Sequence, residues 1–258
     1  MRLGAFWLQT FAVADVELRK LLRDPTELVS RAVQPVLWLG VFGEVMAQVR
    51  GIHAGPVSYL TFITPGILAQ SVLFSAIFYG IAVIWERDLG VVHKLLASPA
   101  YRGALVLGKA LSAGFRGLVQ AAVIYALALA MQVPVRHDPA AVAAVLATVV
   151  LGSAVFSTFS LIVACIVKTR ERFMGVGQVL TMPLFFASSA IYPLELMPAW
   201  LQFVARVNPL TYLVDALRAL MLPVPEAIGA WGFDLAVLAV VGLLMWVIAT
   251  RLYPGLVR

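Results

Sequence analysis

Charge is what this 258-residue chain has least of: 12% of its residues are Asp, Glu, Lys or Arg, against 62% hydrophobic. Soluble domains carry about a quarter charged residues, so an ordinary water-soluble globule is excluded, and a mean hydropathy of +0.96 agrees. Cysteine is nearly absent. The single thiol, Cys165, lies in an apolar run, which leaves no disulfide frame and no thiolate metal cluster. The three histidines, His53, His93 and His137, fall in predicted loops, and no H-E-x-x-H occurs, which argues against an intramembrane metalloenzyme or protease. Strand-like alternation does not recur, so an outer-membrane barrel is not expected. Carboxylates are missing from the middle of every apolar run, Glu44 and Asp234 lying towards outer ends. A proton-driven transporter keeps such a group deep in a span, so the energy for any uphill transport is expected to enter from outside the chain.

What is abundant is uninterrupted apolar sequence. Runs free of acidic and basic residues cover 51–85, 117–135, 140–167 and 173–194, and two weaker ones carry a single acid each, 32–49 with Glu44 and 227–250 with Asp234. A bilayer core of about 30 Å needs about 20 apolar helical residues. The pattern predicts an all-α integral membrane protein with six spans, roughly 32–49, 60–85, 105–133, 140–167, 173–192 and 231–251. Residues 1–28 form a separate unit ahead of the membrane domain 29–258. Phe6, Phe11, Val13, Val16, Leu18, Leu21 and Leu22 interleave there with Asp15, Glu17, Arg19 and Lys20, the signature of an amphipathic helix on the membrane surface rather than a cleaved leader. Pro65-Gly66 predicts a kink in the second span. Residues 193–230 are too polar and proline-rich to span, yet hold two amphipathic stretches. They are expected to be short re-entrant helices dipping in from the outer face.

Orientation follows from the basic residues, which favour cytoplasmic loops. With the N-terminus inside, the inner segments hold Arg2, Arg19, Lys20, Arg23, Arg87, Lys94, Arg102, Lys168, Arg170, Arg172, Arg251 and Arg258, whereas the outer ones hold Arg50, Arg136, Arg206 and Arg218. Both termini are therefore expected to be cytoplasmic, in a multi-pass protein of the inner membrane. The net charge of +6 answers an anionic inner leaflet and not nucleic acid.

Two sets of polar residues interrupt the spans. Lys109, Ser112, Arg116 and Gln120 share one face of the third, either lining an entrance for an anionic substrate or snorkelling to phosphates at the inner interface. Thr64, Gln70, Ser71 and Ser75 on the second either line a path or glue helices together. The stretch "GALVLGKA" at 103–110 has the G-x-x-x-x-G-K spacing of a phosphate-binding loop. Position 110 is Ala, which offers no oxygen to Mg²⁺, and the residues between the glycines are a greasy helical run, so a nucleotide site is not expected here.

The inner loop is the most informative segment. "ERDLGVVHKLLASPAYRGALVLGK" opens with an acid–base–acid triplet, and Leu89, Val92, Leu95 and Leu96 follow at helical spacing. It resembles the E-R-[ED]-x-G-x-x-x-x-L-L-x-[ST]-P-x-x-R-x-x-x-x-x-G-K signature of ABC-2 type permeases, the membrane subunits of a group of ABC exporters. "SSAIYPLELMPAWLQFVARVNPLTYLVDALRALML" is similar to that family's segment after the fifth span, with Tyr192, Pro193, Asn208, Pro209, Asp215 and Arg218 in place, and "FITPGILAQS" fits as well. The likeness is to daunorubicin-exporter and Nod-factor-exporter permeases in particular. It implies a transport subunit without a catalytic site or cofactor of its own, exporting an amphipathic or lipid-linked substrate. Such permeases pair with a second copy and bind two copies of a P-loop ATPase that holds ATP and Mg. Glu86, Arg87, Asp88, Gly90, Lys94, Leu95 and Leu96 would form the element coupled to that ATPase. Asp88 stands where Glu is frequent. Gln70, Ser71, Ser75, Lys109, Arg116 and Gln120 are candidates for the substrate path. Glu86→Lys is expected to abolish transport without unfolding the chain. The alternative within this architecture is a stand-alone channel or an energy-independent flippase.

Overall fold

A computed structural model describes residues 3–23, 25–48, 58–167, 169–223 and 231–257. Arg2, Asp24, Arg50, residues 51–57 with His53, Lys168 and Arg258 lie outside the described residues, and so does the segment 224–230. Among those described there is no strand. The elements are α1 (Leu3–Arg23), α2 (Pro25–Leu37), a π-helical stretch (Trp38–Gly43) running into α3 (Glu44–Ala47), α4 (Tyr59–Ile77), α5 (Tyr79–Asp88), α6 (Val91–Ala97), α7 (Arg102–Ala130), α8 (Pro139–Val167), α9 (Arg170–Phe186), α10 (Ala199–Val207), α11 (Pro209–Met221) and α12 (Trp231–Leu252). Among the described residues four helices are long and apolar enough to cross a membrane, Tyr59–Asp88, Arg102–Ala130, Pro139–Val167 and Trp231–Leu256, and a shorter apolar helix covers Ala32–Ala47. α9 is a 17-residue helix that ends at Phe186, so the fifth apolar run is helical for less of its length than 173–192 implies.

Local chemistry sets where these helices begin. Ser58 caps α4 by accepting from the Thr61 amide at 3.2 Å, and Asp138 caps α8 by accepting from the Ala141 amide at 3.0 Å, ahead of Pro139. Asn208 does the same for α11, accepting from the Leu210 amide at 3.0 Å with Pro209 as first helical residue. The helix that carries Pro65-Gly66 continues through both residues and breaks at Phe78. There the Ser160 hydroxyl of α8 donates to the Ile77 carbonyl and accepts from the Gly80 amide. One side chain thus satisfies a group on each side of the interruption.

α4 is the hub. Nearly every residue in it is buried, and it packs on α7, α8 and α11, with Ile63, Ile67, Leu68 and Leu73 fully enclosed. α12 lies at the periphery against α8 and α11, burying only Asp234, Leu238 and Ala249. α1 turns an unusual face inward: Thr10, Ala14, Glu17 and Leu21 are buried, whereas Leu3, Trp7, Leu8 and Phe11 are exposed. With Thr10, Ala14 and Glu17 against protein and Leu3, Trp7, Leu8 and Phe11 outward, the exposed side suits lipid.

Candidate coupling region and membrane groove

The acid–base–acid triplet ends α5, and each of its acids reaches a different part of the bundle. Glu86 points inward. Its carboxylate accepts from Lys109 of α7 at 2.5 Å and from Lys20 of α1 at 2.6 Å. Glu17 of α1 closes the cluster, 3.1 Å from Lys20 and 3.4 Å from Lys109. The Lys109 side chain is only 3% exposed, so the interfacial snorkelling weighed for it does not occur. Partial burial alone would lower the Lys20 ammonium, but the bond to Glu86 overrides it and holds that group above its ordinary range. Asp88 points the other way, to Arg170 at the start of α9, at 2.8 Å. The Arg170 guanidinium also lies over the Trp85 ring, 4.0 Å from its centre. Four helices (α1, α5, α7 and α9) are thereby joined by charged bonds at one end of the molecule.

α1 can reach this cluster because Gly108 of α7 has no side chain. A Cβ there would stand 2.7 Å from the Thr10 carbonyl oxygen and 2.7 Å from Val13. The "GK" pair is thus one device: Gly108 admits α1, and Lys109 bonds to it. Gln9 of α1 adds a further tie by accepting from the Tyr101 amide at the start of α7.

Beyond Asp88 the chain turns through Leu89 and Gly90, whose φ of +73° is the left-handed conformation that glycine adopts without strain. α6 follows. Val92 is fully buried, and Leu95 and Leu96 lie half-buried against the apolar cluster that includes Leu105 and Tyr253, so most of the predicted apolar stripe is used within the chain. Leu89, 69% exposed, and Val91 remain outward beside exposed Lys94.

Higher in the bundle a polar groove separates α2, α4–α5 and α7. Two hollows of about 520 and 170 Å³ share Ser30, Ser75 and Phe78; the first also meets Arg116 and Trp85, the second Gln34, Ser71 and Gln120. Arg116 lies over the Tyr79 ring at 5.3 Å, and the Tyr79 hydroxyl is 3.3 Å from Ser112. Four of the candidate path residues, Ser71, Ser75, Arg116 and Gln120, therefore meet in one groove. The other two do not: Lys109 belongs to the charged cluster, and Gln70 is buried elsewhere on α4. Ser30 and Gln34 escaped the sequence reading because they precede or open the first apolar run, although a polar pair four residues apart was a usable signal.

At the opposite end the proline-rich motifs hold the chain return after α9. Asn208 donates to the Leu184 and Ala187 carbonyls at 2.7 and 2.6 Å. Arg218 bonds Asp215 at 3.0 Å and the Ser189 carbonyl at 2.7 Å, and stacks over Phe62 of α4. Tyr192 donates to the Phe186 carbonyl, and Pro193 leads into the short turn before α10.

The ABC-2 type transporter family model matches residues 8–222, a stretch containing the charged cluster, the groove and the return motifs. The chain belongs to this family. Among its relatives is a Cyanophora paradoxa protein named as a transport permease, ycf38, 30% identical over 205 residues, or 78% of this chain and 70% of the relative. The daunorubicin resistance ABC transporter permease DrrB1 of Streptomyces coeruleorubidus is 26% identical over 76% of this chain and 69% of its own length. Nodulation protein J of Rhizobium leguminosarum bv. trifolii is 26% identical, with 77% and 75% covered. α12 falls outside the matched stretch. Among the described residues no group of three metal-ligating side chains occurs.

Proposed function

We propose that this ABC-2 family member is the permease subunit of an ATP-driven exporter, working as two copies of the chain with two copies of a separate P-loop ATPase that carries ATP and Mg²⁺. It crosses the inner membrane six times with both termini cytoplasmic: the helix through α2 and α3 and the short α9 add two crossings to the four long ones. α1 lies along the inner face, and α10 and α11 dip in from the outer one. The cargo is an amphipathic or lipid-linked compound, moved outward. The observation that carries this reading is the charged cluster. A push on the α5–α6 corner reaches α1, α7 and α9 through direct bonds, so movement imposed by a partner is shared among helices at once. Glu86, Arg87, Asp88, Gly90, Lys94, Leu95 and Leu96 make up the coupling element, and Leu89 and Val91 supply its outward apolar contact.

Gentle-detergent purification of the full chain from its native membrane tests the proposal. A P-loop ATPase is expected in equal amount, and replacing Leu89 and Val91 by Asp should cut its recovery by about tenfold or more, since burying a charge in an apolar contact costs several kcal/mol. Recovery of a well-folded chain with no ATPase activity would instead favour a stand-alone channel or an energy-independent flippase.

A further inference from the structure

The Lys109–Glu86 pair does not stand in polar surroundings. Val83 lies one turn before Glu86 on α5, and Leu105 and Val106 one turn before Lys109 on α7. All three belong to one apolar cluster, and the paired side chains themselves are only 3% and 13% exposed. The 3₁₀ turn Tyr253–Val257 that follows α12 completes this cluster, with Tyr253 fully buried and Leu256 nearly so. Beyond α5, α6 touches the rest of the chain chiefly at that turn, and its Val92, Leu95 and Leu96 share the same apolar cluster. The turn lies outside the stretch matched by the family model. Tyr253 also carries a group its surroundings do not use: its hydroxyl is buried with no hydrogen-bond partner among the described residues. Lys109, Glu86 and Glu17 are near enough for their charges to act on it. A buried hydroxyl left unmatched costs free energy, and Phe would fill the space without that cost. Lys109 has the converse surplus. Its ammonium carries three donors and spends two, on Glu86 and Glu17.

We propose that Tyr253 is a positioning residue for the coupling movement: when the partner ATPase shifts the α5–α6 corner and draws Glu86 away from Lys109, the Tyr253 hydroxyl accepts a hydrogen bond from the Lys109 ammonium. The cation then keeps a partner besides Glu17, so α7 holds its buried charge in both arrangements. Because α6 rests on the turn that carries Tyr253, a movement of the corner reaches both partners of Lys109. A bridging water would instead satisfy the hydroxyl at rest, and the two cases differ in the sign of one substitution. The inference deepens the exporter reading and rests on it.

The test uses the full chain with its co-purified ATPase in lipid nanodiscs and compares wild type with Tyr253→Phe, which keeps the ring. Without nucleotide, removing the unmatched hydroxyl should raise the thermal midpoint by about 2 °C or more. In the complex trapped with ADP and vanadate the same substitution should act the other way. Trapped nucleotide should be released about tenfold faster, the worth of one hydrogen bond to a charged group. Tyr253→Leu, which also removes the ring, should lower the midpoint in both states and marks what a packing loss alone does. A nucleotide-free midpoint in Tyr253→Phe no higher than that of wild type, as a water-bonded hydroxyl would give, or an unchanged release rate would overturn the proposal. ATPase recovery with the wild-type chain is scored first. Its absence refutes the exporter reading and this role with it, whereas a complex in which Tyr253→Phe releases nucleotide at the wild-type rate refutes the role of Tyr253 alone.

Discussion

Lys109 is the most demanding single residue in the molecule. A buried ammonium is tolerated only with its charge matched, and here Glu86 and Glu17 match it. Removing one member of such a pair costs about 3–5 kcal/mol, because the other charge is left stranded. Glu86→Lys would crowd Lys109 and Lys20 with a third cation, so it is expected to lower the yield of folded, inserted chain and not transport alone, which revises the expectation from sequence. The exchange Glu86→Lys with Lys109→Glu should recover insertion, measured by size-exclusion profile and thermal stability; failure of the swap to improve on Glu86→Lys would argue against a direct pair. The residue types of this cluster were legible in the sequence as "ERD" and "GK", but their meeting was not. Glu17, Glu86 and Lys109 lie far apart in the chain, and no spacing rule brings them together.

At the scale of elements, the fit of α1 on α7 depends on one absent side chain. Gly108→Val forces a branched side chain against the Thr10 carbonyl and Val13, an overpacking that costs about 1–3 kcal/mol. α1 should loosen, so Ala14→Cys, on its buried face, should react with a thiol reagent about tenfold faster in that background, with Cys165 replaced by Ala. An unchanged rate would place α1's anchorage in the charged bonds alone. The start of α8 carries a pH dependence. The hydrogen bond from Arg136, with the Ala141 amide adding to it, holds the Asp138 carboxyl below the ordinary carboxylate range. A lowered value means that the cap is intact above that range and is lost as the pH falls through the lowered value. Amide exchange at Ala141 should therefore speed up in acid relative to mid-α8, and Asp138→Asn should flatten that profile.

The long helices were legible because freedom from charge over some 20 residues is a sufficient signal. The break in the second at Phe78 was not, because the side chain that bonds both sides of it, Ser160, comes from a helix 80 residues away. Four positions of the groove, Ser71, Ser75, Arg116 and Gln120, were already candidates for a substrate path in the sequence. Their convergence with Ser30 and Gln34 needed the packing of three helices.

For the molecule as a whole, the charged cluster lies at one end, the return motifs of Asn208, Asp215 and Arg218 at the other, and the polar groove between them. α4–α5 runs through all three, broken once at Phe78, which makes it the element able to carry a movement from end to end. The decisive measurement is the distance between spin labels at exposed Lys94 of α6 and exposed Ala140 at the start of α8, in the complex with its ATPase in lipid nanodiscs. Trapping ATP should shift that distance distribution, and Glu86→Gln should abolish the shift while ATP hydrolysis continues. An unshifted distribution during active hydrolysis, or one that shifts as fully in Glu86→Gln, would contradict the claim that the partner's energy enters this chain through the α5–α6 corner.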